Sequence, residues 1–199
     1  MFKIGLLSTI TILIFEGCSN LGSIIPTSHN NRITSNSRPY IEYREQMLSY
    51  VNKIRAEGAK CAPPAPPLQL NKNLEASAMS HTKDMAINHY LKHYGSGTSL
   101  DEGKPENAIN STFIDRITYF GYPVKPNILV GENITYTKFK NTKTKELMPN
   151  FKKAVDNWLH DQEHCKIFMN PRFAYMGLAY KKTDDRYYFT MNLAQDSNY

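Results

Sequence analysis

The stretch Trp158–Tyr180, WLHDQEHCKIFMNPRFAYMGLAY, decides the reading of this chain, because one short run carries a histidine and a cysteine and passes from helix through a breaker to a strand. Just upstream, Phe151, Val155 and Trp158 recur at helical spacing and predict the apolar face of a helix. Asn170-Pro171 bars that helix from running further, since proline lacks an N–H and pushes the residue before it towards extended backbone. Met176–Lys181 and Tyr187–Leu193 then read as strands separated by the turn KTDDR. If the helix continues through Asp161 and His164, the two stand at i and i+3 and face the same way.

Working back towards the N-terminus, Met47, Leu48, Val51 and Ile54 give an amphipathic helix over Ile41–Ala56, with Gly58 as its stop. The Pro-rich segment 61–67 follows. Asn71 or Asn73 can cap a second helix whose Leu74, Ala78, His81 and Met85 share one face, running to about Leu91 and leaving His93 just past its end. Gly95–Asn110 has no periodicity and reads as a long loop, and Thr112–Phe120 as a short helix closed by Gly121. Ile128–Tyr136, which contains Gly131-Glu132-Asn133-Ile134, reads as a loop or a helix start.

Lys3 followed by the apolar run Ile4–Phe15 reads as an export signal over 1–17, too short to span a bilayer as a mature helix. Gly17-Cys18 looks like the end of a bacterial lipobox. Lipidation at Cys18 would hold the protein at a membrane through acyl chains, with Ser19 favouring an outer membrane; conventional cleavage near Gly17 is the alternative. Residues 18–40 form a polar tether, and 41–199 is enough chain for one domain with its own core. The expected location is therefore the cell envelope or the extracellular space. The net charge of +6 is scattered apart from Lys138–Lys145 and Lys152-Lys153, which read as solvated surface; nucleic acid is excluded as a partner of an exported chain.

Three pieces together carry a resemblance: Leu91-Lys92-His93, the GENI run at 131–134, and the pattern W-x(5)-H-C-x(3)-M-N-P-x-F-x-x-M-G-x-A-Y from Trp158. They resemble the CAP superfamily (cysteine-rich secretory, antigen 5 and pathogenesis-related proteins) in its bacterial secreted form, over roughly residues 44–195. Ala78–Ala86 adds the bacterial signature A-x-x-H-[ST]-x-D-M-A. The resemblance implies an α+β fold, a three-layer α/β/α sandwich whose small antiparallel sheet is flanked by helices. It also implies a cleft lined by two histidines and two acids, carried here by His93, Glu132 and His164, with Asp161 at the fourth position. Two neutral imidazoles and a carboxylate suffice as a first shell for Zn²⁺ or another divalent metal, so His93, Glu132 and His164 are the expected weak metal site. The alternative is that the trio is a hydrogen-bonded structural network. With Cys18 at the signal junction, Cys61 and Cys165 remain as a pair; an oxidising compartment favours their disulfide, and the family pattern supports it.

His81 falls on an apolar face and is expected to be a buried core histidine, with Asp84 either its partner or turned to water; His89 and His160 are expected to be exposed. His160–His164, HDQEH, also fits the H-x-x-E-H of inverted zinc peptidases, a pattern of low specificity. No G-x-S-x-G and no free exported thiol announces a nucleophile. Two functions follow: a binding module for lipid or envelope glycan, or a metal-dependent hydrolase acting on envelope polymer or peptide.

Overall fold

A computed structural model describes residues 38–139 and 146–196, with side chains from Tyr43 onward. The signal segment, Cys18, most of the tether and most of the basic run at 138–145 lie outside the described residues. Helix α1, Arg38–Glu57, takes in Arg38–Tyr40, which the sequence reading assigned to the tether. It stops at Gly58, whose φ of +81° suits a residue without a Cβ. Strand β1 (Gln69–Leu70) and helix α2 (Lys72–Ile87) follow. Asn71 is the cap of α2, its side-chain oxygen accepting from the Asn73 and Leu74 amides at 3.0 and 3.2 Å.

The second helix ends earlier than its apolar spacing suggests. His89 takes a φ of +55°, a left-handed conformation that no helix continues through, so α2 closes at Ile87 and not at Leu91. Helix α3 (Phe113–Tyr119) is closed at its start by a reciprocal capping box between Thr112 and Asp115.

From Val130 onward, Ile128–Tyr136 is neither loop nor helix start. Strand β2, Val130–Lys138, pairs antiparallel along its full length with strand β4, Arg186–Ala194. Both faces of β2 lie under helices, so polar and apolar residues do not alternate and the period-two signal is missing. Strand β3, Tyr175–Lys182, completes the expected antiparallel set. The sheet order is β1-β3-β4-β2, and β1 pairs parallel to β3, so the sheet is mixed and not purely antiparallel. Between β1 and β3 the chain passes through α2, α3, β2, α4 and α5, which returns β3 in the direction of β1.

The expected single helix around Trp158 is two: α4, Leu147–His160, and α5, Gln162–Phe168. Asp161 breaks the helical run with extended backbone (φ −86°, ψ 127°) and caps α5 through its own carboxylate. Its relation to His164 is therefore that of a cap to the third residue of a new helix, not that of neighbours along a continuous one.

The sheet divides the core. Phe189, Met191 and Leu193 of β4 pack with Met47 and Val51 of α1, Phe151, Val155 and Trp158 of α4, and Phe168 of α5. On the other face α2 lies against β3 and β4. It lies so close that a Cβ on Gly177 would come within 2.0 Å of the Leu74 carbonyl carbon. The three-layer α/β/α sandwich of the sequence reading is thus formed, with α2 and α3 in one layer and α1, α4 and α5 in the other. Arg55, fully buried, ties the second layer together by donating to the carbonyls of Pro66 (2.9 Å), Phe168 (2.6 Å) and Asn170 (3.2 Å). Burial pushes its guanidinium down to about 10, so it remains a cation at neutral pH. Cys61 and Cys165 form the expected disulfide, with Cα atoms 6.1 Å apart. Among the described residues no helix is long and apolar enough to cross a membrane.

Candidate functional site

Strand β2 is an edge strand, and the two helical layers meet beside it. Its alternation sends Glu132 towards α2 and α3 and Asn133 towards α5. Glu132 is 3% exposed, yet its carboxylate is surrounded by donors. His93 Nδ1 lies 2.9 Å from Oε1, and Arg116 Nη2 donates to Oε2 at 2.9 Å. The Asn192 carboxamide, in the orientation that satisfies its neighbours, adds its nitrogen at 3.3 Å from Oε2 while its oxygen accepts from Ser77 Oγ and the Ala78 amide. Burial alone would raise this carboxyl's pKa. The hydrogen bond from His93 and the charge of Arg116 outweigh it and hold Glu132 below the usual carboxylate range.

The second histidine comes from the opposite layer. His164 Nδ1 is 3.0 Å from Asp161 Oδ1, an oxygen that also accepts the backbone amides of Glu163 and His164 at 3.0 Å. Those bonds, the His164 amide first, hold Asp161 below its ordinary range although it is exposed. Asn133 reaches from β2 to the His164 carbonyl at 3.0 Å and fixes α5 against the sheet. The rings of His93 and His164 stack with centroids 6.2 Å apart and planes inclined by 26°. Each imidazole thus gives Nδ1 to a carboxylate, which leaves the Nε2 lone pair as its remaining ligand atom. The four cleft residues read from the sequence come together as two histidine–carboxylate pairs, His93–Glu132 and His164–Asp161. Among the described residues, no three His, Cys, Asp or Glu side chains are disposed to hold a metal ion together.

One buried partner was not visible in the sequence, and a second was read only as a core histidine. Arg116 sits on α3 beside the buried Ile117 and donates to Glu132, to the His93 carbonyl (2.9 Å) and to Ser111 Oγ (2.9 Å). An arginine inside an otherwise apolar helix face was its only signal. His81, fully buried as expected, points Nε2 at the Lys92 carbonyl (2.9 Å) and stands 3.9 Å from Glu132 Oε1. Asp84 is not its partner: its carboxylate instead takes Asn88 Nδ2 (2.7 Å), the Tyr90 hydroxyl (2.5 Å) and the Ser96 amide (2.9 Å), organising the loop after α2.

The inverted-peptidase arrangement does not form. The break at Asp161 separates His160 from the helix of Glu163 and His164; His160 Nδ1 turns back to the Asp156 carbonyl (2.7 Å) and Glu163 pairs with Lys166 (2.8 Å). His160 lines a different depression of about 470 Å³, with Ile54, Lys60 and Leu159. It is exposed, as is His89, in line with the sequence reading.

Burial pushes the His81 imidazole down to about 4, against the pull of Glu132. The unfolded chain would protonate this ring near 6.5, so its burial costs no stability above that pH and becomes destabilising as pH falls from about 6.5 towards about 4. The shift corresponds to a loss of about 3 kcal/mol at the acid end. Urea unfolding of wild type and His81→Gln from pH 7.5 to 4.5 should show a shallower acid decline in the variant; parallel curves would assign the decline to other groups.

Residues 48–193 match the family model of CAP, the cysteine-rich secretory protein family, and the chain belongs to that family. It is 27% identical over 164 residues to the uncharacterized protein YkwD of Bacillus subtilis, covering 81% of this chain and 52% of that one. The chain thus spans about half the length of that curated relative. Among solved structures it resembles an extracellular SCP-domain protein of Bacillus anthracis (TM-score 0.53, 23% identity, 76% of this chain and 40% of that one). It also resembles an outer surface protein of Borrelia burgdorferi (TM-score 0.55, 16% identity, 78% and 94%). These two likenesses establish the fold.

Proposed function

We propose that the chain is an exported binding module of the CAP family whose cleft holds a divalent transition metal, Zn²⁺ being the best match, weakly and reversibly through His93 and His164. The observation that carries the reading is the double pairing of imidazole Nδ1 with carboxylate, at 2.9 Å and 3.0 Å, on two stacked rings. A metal-ligating histidine characteristically gives its other ring nitrogen to a carboxylate, which fixes the tautomer and raises the basicity of the ligating nitrogen. The donor set fits a borderline cation with open positions for water or a ligand group. Glu132, with both oxygens already engaged, acts in this reading by orienting His93 and not as a ligand. A metal there would supply Lewis acidity and a point of attachment. The exposed Leu91 and Tyr94 beside His93 offer apolar and aromatic surface to a lipid or envelope-glycan ligand.

Titration calorimetry with Zn²⁺ tests the metal site. His93→Ala and His164→Ala should each abolish measurable binding, Glu132→Gln should weaken it by about 10- to 100-fold, and His160→Ala should leave it unchanged. A wild type that binds no zinc would reduce the cleft to a structural network. Turnover of an envelope polymer or peptide that is lost with chelator and in His164→Ala would replace the binding reading with the hydrolase one.

Export belongs to the same proposal, supported by the apolar segment after Lys3 and by relatives described as extracellular or outer-surface proteins. Anchoring at Cys18 requires that a palmitate analogue label the protein in cells and that Cys18→Ala remove the label. Equal labelling of both would overturn it.

A further inference from the structure

After α2 closes, the chain reverses at His89 and runs through residues 90–94 without a helix or strand to hold it. His93 therefore receives no ladder of backbone hydrogen bonds, although its imidazole must meet Glu132 within hydrogen-bond distance. Two buried side chains supply what the backbone lacks. His81 Nε2 lies 2.9 Å from the carbonyl of Lys92, and Arg116 Nη2 donates to the next carbonyl, that of His93, at 2.9 Å. The two acceptors belong to the peptide units on either side of the His93 Cα, so pinning both restricts the φ and ψ on which the ring's direction depends.

Arg116 also bonds the carboxylate that receives the ring, and His81 stands close to it. Arg116 Nη2 is 2.9 Å from Glu132 Oε2, and His81 Nε2 is 3.9 Å from Glu132 Oε1. One buried cluster thus fixes the backbone of His93 and the acceptor of its Nδ1 proton together. His81 is fully buried, and its Nδ1 has no hydrogen-bond partner among the described residues. Burying an imidazole with one ring nitrogen unsatisfied is unfavourable for packing alone, and the nitrogen that is satisfied is the one facing Lys92. A carbonyl can only accept, so the Lys92 contact requires the Nε2–H tautomer of His81.

We infer that His81 is a positioning residue: through Nε2–H to the Lys92 carbonyl it sets the backbone at His93 and so holds the His93 imidazole in its Nδ1–H tautomer on Glu132, with Nε2 presented to the cleft. His81 neither touches a ligand nor binds metal. Glutamine can place its amide nitrogen close to where His81 carries Nε2, whereas leucine retains the bulk and loses the donor. The pair His81→Gln and His81→Leu therefore separates donation from packing.

Nitrogen-15 NMR of the imidazoles in the metal-free protein reads the tautomers directly. Wild type should show His81 as Nε2–H and His93 predominantly as Nδ1–H. His81→Leu should mix the His93 tautomers, and His81→Gln should keep the wild-type pattern. In zinc titrations His81→Leu should bind about 10- to 100-fold more weakly, the range expected when a supporting partner of a ligating histidine is lost, and His81→Gln should bind within a few-fold of wild type. The inference is overturned if wild-type His81 carries its proton on Nδ1, if His81→Leu keeps the His93 tautomer, or if His81→Gln behaves as His81→Leu does. Should the leucine variant not fold, the wild-type tautomers and the glutamine variant still decide. The zinc arm rests on the metal reading above and the tautomer arm does not. A wild type without zinc affinity, paired with tautomer loss in His81→Leu, refutes that reading and keeps this one.

Discussion

Removing the Cys61–Cys165 bridge by the double change Cys61→Ala/Cys165→Ala is expected to lower the free energy of unfolding by about 4–5 kcal/mol at 25 °C. The bridged residues are 104 apart in sequence, so the cross-link closes most of the domain into one loop and sharply restricts the unfolded ensemble. Little in the folded state compensates for its loss. Cys165 is fully buried among α1, α4 and α5, and removing its sulfur leaves a small void in that cluster. Arg55 would still tie α1 to the end of α5 through the Phe168 and Asn170 carbonyls, so the variant should fold at low temperature. Guanidinium unfolding of the oxidised wild type and the double variant measures the difference. A loss below about 1 kcal/mol would mean that the unfolded chain is already compact without the bridge, contrary to the chain-entropy account.

The stretch that settles the fold in the sequence, Trp158–Tyr180, does so with its flanks because their signals are local: an apolar helical face running up to Trp158, a proline stop at Pro171, then a strand that a polar turn joins to a second one at Tyr187–Leu193. Where the outcome depended on partners that an apolar pattern does not register, the sequence was silent or misleading. The GENI segment is a strand because β4 pairs with it and helices cover both its faces, and neither fact is encoded in the segment itself. Asp161 breaks the helix because its carboxylate can cap the next one, a choice that a periodic apolar pattern cannot show. His93, Glu132, Asp161 and His164 were legible through the family motifs, but as a metal-ligating trio of His93, Glu132 and His164 with Asp161 at a fourth position. Their sorting into two histidine–carboxylate pairs follows from the opposite layers that deliver them to the edge of β2. Arg116 was illegible because a charge in a short helix is normally solvated, and only the buried Glu132 explains its place.

That Arg116–Glu132 pair should give the second large effect. Arg116→Met keeps most of the side-chain volume and removes the guanidinium, and it is expected to destabilise the protein by about 3–5 kcal/mol near neutral pH, the usual cost of stranding one member of a buried ion pair. Both partners are essentially inaccessible, with side chains 1% exposed, so water cannot replace the lost donor. The pH dependence should change sign as well. In the wild type Glu132 titrates below its ordinary range, so its contribution is present above the unfolded value of about 4.3 and is lost as pH falls through the lower folded value. Without Arg116 the burial that opposes ionisation dominates, and the folded carboxyl titrates above the unfolded one. The variant should then be relatively most stable below about 4.3 and lose stability as pH rises through the raised value. Adding Glu132→Gln removes the stranded charge, so the double variant should be more stable than Arg116→Met alone at neutral pH, with a non-additive coupling of at least about 1 kcal/mol. Urea unfolding of the four proteins of this cycle at pH 5 and pH 7.5 supplies every term. Additive losses, or an Arg116→Met variant within about 1 kcal/mol of wild type at pH 7.5, would show that Glu132 is held by His93 and Asn192 and does not depend on the guanidinium.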